Sequence, residues 1–428
     1  MERIFKPMRV CVVGLGKIGL PLAVQFASKG AQVLGADILP HVVEKTKAGQ
    51  PHFDQEPFLA EKMAAVHAAG LLSATTDTVA ATRQADVILI VVPVLVAEHP
   101  PHPIDLRAMQ AATRAVGQGL RRGALVLYET TLPVGTTRNV LTPILEAESG
   151  LKAGIDFQVA FSPERVYSGR IFADLANYPK VVGGLTPEAT RQAAAFYRQV
   201  LDAPSILEMQ NAEAAELVKL AETTYRDVNI AFANELARYA DAVGVDVYPV
   251  ISASNSQPFS HIHQPGVGVG GHCIPVYPYF LANHAPPDEM RLARLSRQIN
   301  DDMGRYAVEK LCQQIGDLRG ENVLILGLAY RGDVKEAAFS STFKLAEALQ
   351  VAGAQVLVHD PLYTDEEIRA HGLMPVSLTP PPAVRAIFLQ AAHSAYQGLD
   401  WGAFPTCQAV LDGRNVLRAG GAGPLRVL

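Results

Sequence analysis

Cysteine is scarce in this chain: four residues in 428, at positions 11, 273, 312 and 407. Their scatter excludes a disulfide-stapled framework and suits a reducing compartment. Long apolar runs are also missing. Hydrophobic residues make up 49%, but they are rich in alanine and are broken by charges and glycines. No stretch reaches the length of a membrane span. Neither charge sign dominates, since 37 Lys and Arg face 42 Asp and Glu for a net charge of −5. That balance argues against non-specific nucleic-acid binding and leaves room for local phosphate sites. Met1–Pro7 leads toward a strand without the features of a secretory leader, so a cytoplasmic protein is expected. At 428 residues, the chain has room for two or three domains with ample core.

One of the four cysteines has distinctive neighbours. Gly266, Gly268, Gly270 and Gly271 precede His272-Cys273-Ile274-Pro275. Glycines remove side-chain bulk, so backbone can approach a ligand and its N–H groups can face negative charge. A thiol placed there is a candidate nucleophile. Two other readings stand beside it: a small buried hydrophobe, and a metal ligand with His261, His263 and His272. That spacing matches no standard structural zinc pattern.

The N-terminal segment carries a stronger pattern. Arg9–Val13 reads as a strand and runs into Gly14-Leu15-Gly16-Lys17-Ile18-Gly19. A helical run over 20–29 ends at Gly30, and a second strand over 31–36 ends at Asp37. Strand, G-x-G-x-x-G, helix, strand and acid in this order form a dinucleotide fingerprint. The glycines admit a pyrophosphate to the helix N-terminus. Asp37 is expected to accept from the ribose hydroxyls and to disfavour a 2′-phosphate, which selects NAD over NADP. Further apolar strands end at Pro93, Thr131 and Glu164, placing these residues on the ligand-binding rim of an open α/β sheet. Thr136 and Thr137 are expected to serve as turn or capping residues.

A long helix is predicted over 212–242, with Glu216, Lys219 and Thr223 on one face beside Leu217 and Leu220. A second strand–turn–helix–strand unit begins near Arg319, runs through Gly327-Leu328-Ala329-Tyr330-Arg331-Gly332 and returns at 355–361. It lacks the glycine fingerprint, which suggests a different nucleotide group. The glycine-rich tail over 418–428 is expected to be mobile.

Together these segments resemble the nucleotide-sugar 6-dehydrogenases, which act on UDP-glucose, UDP-N-acetylglucosamine, UDP-N-acetylmannosamine or GDP-mannose. The carriers are Gly14–Pro21, Thr131-Leu132-Pro133-Val134-Gly135-Thr136-Thr137, Ser162-Pro163-Glu164-Arg165, Glu213–Lys219, Gly270–Pro275 and Gly327–Gly332. The resemblance implies an α/β fold of two Rossmann-like doubly wound domains joined by a central helical region with a long helix. Its parts would be an NAD-binding domain over 1–205, a helical dimerisation and catalytic domain over 206–310, and a UDP-sugar-binding domain over 311–428. It also implies oxidation of a sugar C6 alcohol to a carboxylate, with reduction of two NAD+. Cys273 would capture the intermediate aldehyde as a thiohemiacetal and carry it on as a thioester.

The resemblance assigns further roles. Lys219 would stabilise alkoxide charge, Glu164 would manage the hydrolytic water, and Thr131 would position water and nicotinamide. Thr223 is the remaining catalytic candidate. Candidate NAD contacts are Gly14, Gly16, Lys17, Ile18, Gly19, Asp37, Val92, Pro93, Thr131 and Arg331. Candidate substrate contacts are Glu164, Arg165, Lys219, Asn229, His261, Gly268, Gly270, Gly271, Tyr330 and Arg331. A homodimer is implied, with no metal, nucleic acid or membrane partner.

The chain departs from the family pattern at four places. Thr223 stands where relatives carry Asn, and Tyr277 where many carry Asp. Phe259, with His261 and His263 close by, stands at one expected arginine, and Ala338 at another, for which Arg331 and Lys335 could supply charge. Tyrosine cannot supply a carboxylate at neutral pH. Ser162-Pro163-Glu164-Arg165-Val166 and His272 favour a UDP-N-acetylhexosamine, either manno or gluco. UDP-glucose oxidation, a two-electron oxidoreductase and a catalytically silent nucleotide-sugar binder remain as alternatives.

Overall fold

Short apolar runs bounded by glycine turns become parallel strands when both faces are covered, and this chain builds two sheets from such runs. The structure is a computed structural model and describes residues 8–53, 56–97, 102–286, 288–417 and 426–427. The expectation for Met1–Pro7 falls outside these residues, as does most of that for the tail. The chain divides into two compact units, Met1–Glu222 and Thr223–Leu428.

The first unit contains β1 (Arg9–Val13), β2 (Gln32–Ala36), β3 (Leu72–Thr75), β4 (Val87–Ile90), the short antiparallel pair β5 (Leu95–Val96) and β6 (Ile104–Asp105), β7 (Leu125–Tyr128), β8 (Gln158–Phe161), β9 (Lys180–Gly184) and β10 (Ile206–Glu208). Its main sheet has the order β10-β9-β8-β7-β4-β1-β2-β3. From β3 to β8 the strands are parallel, in doubly wound order, whereas β9 is antiparallel to β8. Alternation sorts the core. Val10, Val12, Leu125 and Leu127 pack on one face with Phe26 and Phe196, and Cys11, Val13, Val126 and Tyr128 on the other with Met109 and Phe157.

Helices α1 (Gly19–Ser28), α2 (Pro40–Lys47), α3 (Leu59–Ala68), α4 (Thr78–Gln84), α5 (Arg107–Gly119), α6 (Thr142–Ser149), α7 (Ile171–Asn177) and α8 (Pro187–Val200) accompany this sheet. Gly30, with φ +88°, ends α1 in the left-handed conformation. Asp77 caps α4 and Thr186 caps α8 through their side chains. The expected long helix is α9 (Ala212–Val243). Glu216, Lys219 and Thr223 all lie on its buried face, and Leu220 with them, but Leu217 is exposed.

The second unit adds α10 (Val247–Ser254), α11 (Tyr277–Ala282) and α12 (Arg291–Ile315), then β11 (Asn322–Leu326), α13 (Ser341–Val351), β12 (Gln355–His359), α14 (Asp365–Ala370), β13 (Met374–Pro375), β14 (Ala386–Leu389), β15 (Ala409–Asp412) and β16 (Arg426–Val427). The sheet order is β13-β12-β11-β14-β15-β16, all parallel. This repeats the doubly wound order of the first unit. Arg426–Val427, at the end of the tail expected to be mobile, pairs with β15 as a strand.

The repeat extends to an acid after each second strand. Asp37, after β2, accepts from the Leu15 N–H at 2.8 Å. Asp360, after β12, accepts from the Leu328 and Ala329 N–H groups at 2.8 and 2.9 Å. Asp360 is buried and also meets the Leu362 N–H and His393 Nε2.

Candidate active site

The three fingerprint glycines are glycine for two different reasons. A Cβ on Gly14, which has φ +91°, would lie 2.7 Å from the Val91 carbonyl oxygen, and one on Gly19 would lie 1.8 Å from the Gly14 carbonyl oxygen. Both positions are dictated by close packing of backbone. A Cβ on Gly16 would meet nothing within 4 Å. Gly16 therefore keeps open the space beside the start of α1, whose N-cap Ile18 offers no side-chain cap. Asp37 is held by the Leu15 and Leu39 N–H groups and stays partly exposed. Val92 and Pro93 follow β4 and Thr131 follows β7. Thr130 Oγ1 donates to the Val92 carbonyl at 2.7 Å, tying the two rims together. These features fit an NAD dinucleotide: Gly16 leaves room for a pyrophosphate, and Asp37 has acceptor positions open to ribose hydroxyls.

Farther along the same sheet, Glu164 belongs to a chain of charged groups. Its Oε1 accepts from the N–H groups of Arg165 and Val166 at 2.6 and 3.2 Å. Its Oε2 accepts from Lys180 Nζ at 2.9 Å. Lys180, on β9, also reaches Glu129 at 2.8 Å, and the Tyr197 hydroxyl on α8 donates to the same Glu129 oxygen. On the other side, the Arg165 guanidinium pairs with Glu222 at 2.9 Å, and Glu222 receives Lys219 Nζ at 3.3 Å. Glu222 thus joins the two expected cations. Burial raises the Glu129 pKa against the pull of Lys180. Lys180 is itself raised, because its two carboxylates outweigh its burial. The loop carrying Glu164 is anchored by Glu56, which accepts from the Gly169 and Ile171 N–H groups at 2.7 Å each.

One turn before Lys219, buried Glu216 ties α9 to the segment after β7. It accepts from the Gly135 N–H at 2.5 Å and from the Thr137 N–H and hydroxyl at 2.9 and 2.6 Å. Thr137, expected as a capping or turn residue, instead spends its hydroxyl on this contact. Burial pushes the Glu216 carboxyl up to about 7, against the pull of those donors. A folded-state pKa above the unfolded one gives stability that is fully present below about pH 4 and lost as pH rises toward 7. Relative to a Glu216→Gln variant, the wild-type unfolding free energy should fall by roughly 3 kcal/mol between pH 4 and 8. Denaturant titrations across that range check this; parallel curves for the two proteins would refute it.

In the second unit, the glycine run is docked against its own chain. The Gly266 N–H donates to Asn234 at 2.9 Å, and Asn234 donates to Asn300 at 2.8 Å. Asn300 and Arg297 in turn hold buried Asp227 at 2.8 and 2.6 Å. A Cβ on Gly268 would meet Ser341 at 2.8 Å, and one on Gly270 would meet Tyr330 at 2.5 Å. Gly271 has φ +94° and donates its N–H to the Ala338 carbonyl at 2.9 Å. The small size of these glycines thus serves the seat under Tyr330 and at the start of α13. Cys273 follows at the turn into α11, its carbonyl accepting from the Tyr277 N–H at 2.9 Å. Cys273 is partly exposed and Cys11 and Cys407 are buried; burial pushes the Cys11 thiol up to about 12 and that of Cys407 up to about 11.

Other expected contacts are spread around this seat. His272 meets Glu336 at 3.3 Å. Asn229 spends its amide on the chain, donating to the His261 carbonyl at 2.7 Å and accepting from the His263 N–H at 2.9 Å. Arg331 lies over the Tyr330 ring at 5.8 Å, and Lys335 pairs with Glu367 at 2.6 Å. Phe259 is 91% exposed. The Tyr277 ring stands edge-on to Phe280. Among the described residues, no three His, Cys, Asp or Glu side chains gather as a metal site, and no helix is long and apolar enough to cross a membrane.

Known families match this arrangement from end to end. The UDP-glucose/GDP-mannose dehydrogenase family covers residues 8–201 with its NAD binding domain, 213–302 with its central domain and 324–419 with its UDP binding domain. The chain belongs to this family. A UDP-N-acetyl-D-mannosamine dehydrogenase of Pyrococcus horikoshii is 36% identical over 418 residues, 96% of each chain. An NDP-N-acetyl-D-galactosaminuronic acid dehydrogenase of Ralstonia nicotianae is 36% identical over 82% of each chain. The solved UDP-glucose dehydrogenase of Pyrobaculum islandicum superposes with a TM-score of 0.87 at 32% identity, covering 100% of this chain and 98% of that one. As a member of this family, the protein is an NAD-dependent dehydrogenase.

Within this dehydrogenase, sequence reasoning missed Glu129, Lys180, Tyr197 and Glu222. A signal for two of them was present. Glu129 closes an apolar strand and Lys180 opens one, and a charge buried in such a run needs a partner. Tyr197 and Glu222 lie in ordinary amphipathic helices and carry no such mark.

Proposed function

We propose that the protein oxidises the C6 alcohol of a UDP-N-acetylhexosamine to the uronate, with UDP-N-acetylmannosamine as the leading substrate. The observation that carries this is the linked set Glu164, Arg165, Glu222 and Lys219 in an NAD-binding unit, combined with a chain that also bears Cys273 on its docked glycine run. The relatives' specificities support an N-acetylated sugar. NAD, held at Gly14–Gly19 and Asp37, supplies the hydride acceptor. Oxidation of the alcohol leaves an aldehyde, to which the Cys273 thiolate adds. Lys219, with Thr223, carries the resulting alkoxide charge. A second oxidation leaves a thioester, and Glu164 takes a proton from the water that cleaves it. The carboxylate departs and Cys273 is released as a thiol.

A cytoplasmic homodimer completes this reading. Tyr225, Phe232, Tyr239 and Val243 leave an apolar stripe exposed along α9, suited to a second copy. The test is NADH release with UDP-N-acetylmannosamine, its gluco and galacto isomers, UDP-glucose and GDP-mannose. Two NADH per UDP-N-acetylhexosamine are expected. One NADH with free aldehyde would leave a two-electron oxidoreductase, the reading that Tyr277 and Thr223 favour. Binding without any NADH would leave a silent nucleotide-sugar protein.

A further inference from the structure

Behind Glu164 lies a buried group that the proposed reaction does not yet use. Exposure falls along it, from 12% for the Glu164 side chain to 5% for Lys180 and 0% for Glu129. The Lys180 ammonium sits between the two carboxylates and 5.0 Å above the Tyr197 ring. Glu129 Oε2 is buried without a hydrogen-bond partner. A buried ion pair is weak evidence for stability, because an apolar side chain of similar volume often serves as well. A buried acid and cation behind a partly exposed carboxylate therefore call for another purpose.

The geometry of Glu164 supplies one. A carboxylate offers about four acceptor positions, and three are filled by the Arg165 N–H, the Val166 N–H and Lys180. What remains is a single open position. We propose that Lys180 and Glu129 are positioning residues for the water step: Lys180 fixes the orientation of Glu164, and Glu129 sets how strongly Glu164 attracts a proton. This rests on the reading of Glu164 as the base for hydrolysis. Lys180 weakens that attraction and Glu129, a like charge behind it, strengthens it. The other charged groups nearby are already engaged: Arg165 with Glu222, and Asp174 with Arg170. Tyr197 faces Glu129, and Tyr178, in the segment after α7, lines a pocket together with Glu164 and Lys180.

The two residues therefore have opposite expected effects. Glu129→Gln keeps an acceptor for Lys180 and Tyr197 but removes the charge. The acid limb of uronate release in a single turnover should move down by about one pH unit. Lys180→Met should move it up by at least as much. A limb that stays put in Glu129→Gln, with only a uniform loss of rate, would overturn the proposal, and so would an upward shift. If Lys180→Met does not fold, Glu129→Gln decides alone. A second readout needs no turnover: pH-dependent carbodiimide labelling of Glu164, followed by peptide mass spectrometry on the full chain. Its midpoint should fall in Glu129→Gln. A shifted midpoint in a protein that oxidises none of the nucleotide sugars tested would uphold the link and sink the proposed function. An unmoved midpoint in an active enzyme would sink the link alone.

Discussion

Cys273→Ser should lower uronate formation by at least ~10³-fold and reduce the NADH yield from two to no more than one per sugar. The serine hydroxyl is not ionised near neutral pH, so it cannot capture the aldehyde as a thiolate does. The substitution is nearly isosteric, and the local fold does not depend on the sulfur. The run before it is seated by Gly268, Gly270 and Gly271 against Ser341 and Tyr330, and the turn after it uses the Cys273 carbonyl. Thermal stability should therefore match the wild type, and a carbonyl trap such as hydroxylamine should collect the aldehyde. Uronate formed at the wild-type rate would remove the covalent route altogether.

The second large effect separates two glycines three residues apart. Gly19→Ala places a methyl group 1.8 Å from the Gly14 carbonyl oxygen, a distance no side-chain rotation relieves. The turn between β1 and α1 must open, with an expected loss of about 3 kcal/mol or more and no measurable NAD binding. Gly16→Ala meets no protein atom within 4 Å, so the protein should melt like the wild type. It should still bind NAD at least about tenfold more weakly, since the methyl enters the space kept for the pyrophosphate. Calorimetric NAD titration beside thermal melts checks both. Equal melting of Gly19→Ala and wild type, or equal affinity in Gly16→Ala, would contradict the division of roles.

Legibility followed local chemistry. The first sheet and its cofactor turn were readable because strand, glycines, helix and acid lie within one short stretch, each with its own backbone requirement. The second sheet was readable by analogy of plan, although its acid turned out to bind its own loop. Lys219 stood out as a cation on an apolar helix, but its partner Glu222 did not, because an acid three residues on is ordinary helix surface. The glycines before Cys273 were visible as an oddity. Their packing against Tyr330 and Ser341 was not, since those contacts join segments about 60 to 70 residues apart. Thr137 illustrates the limit: its sequence neighbourhood suggests a cap, and only the fold brings it to Glu216.

The paired acids carry a wider consequence. Asp37 and Asp360 occupy equivalent stations after the second strand of two sheets of the same order. Asp37 keeps lone pairs to spare, whereas Asp360 has given its own to Leu328, Ala329, Leu362 and His393. The same letter is a socket in one copy and a rivet in the other. A search that recognises ribose sites by the position of the acid would count two in this chain. A search that asks which carboxylate still has unfilled acceptor positions would count one.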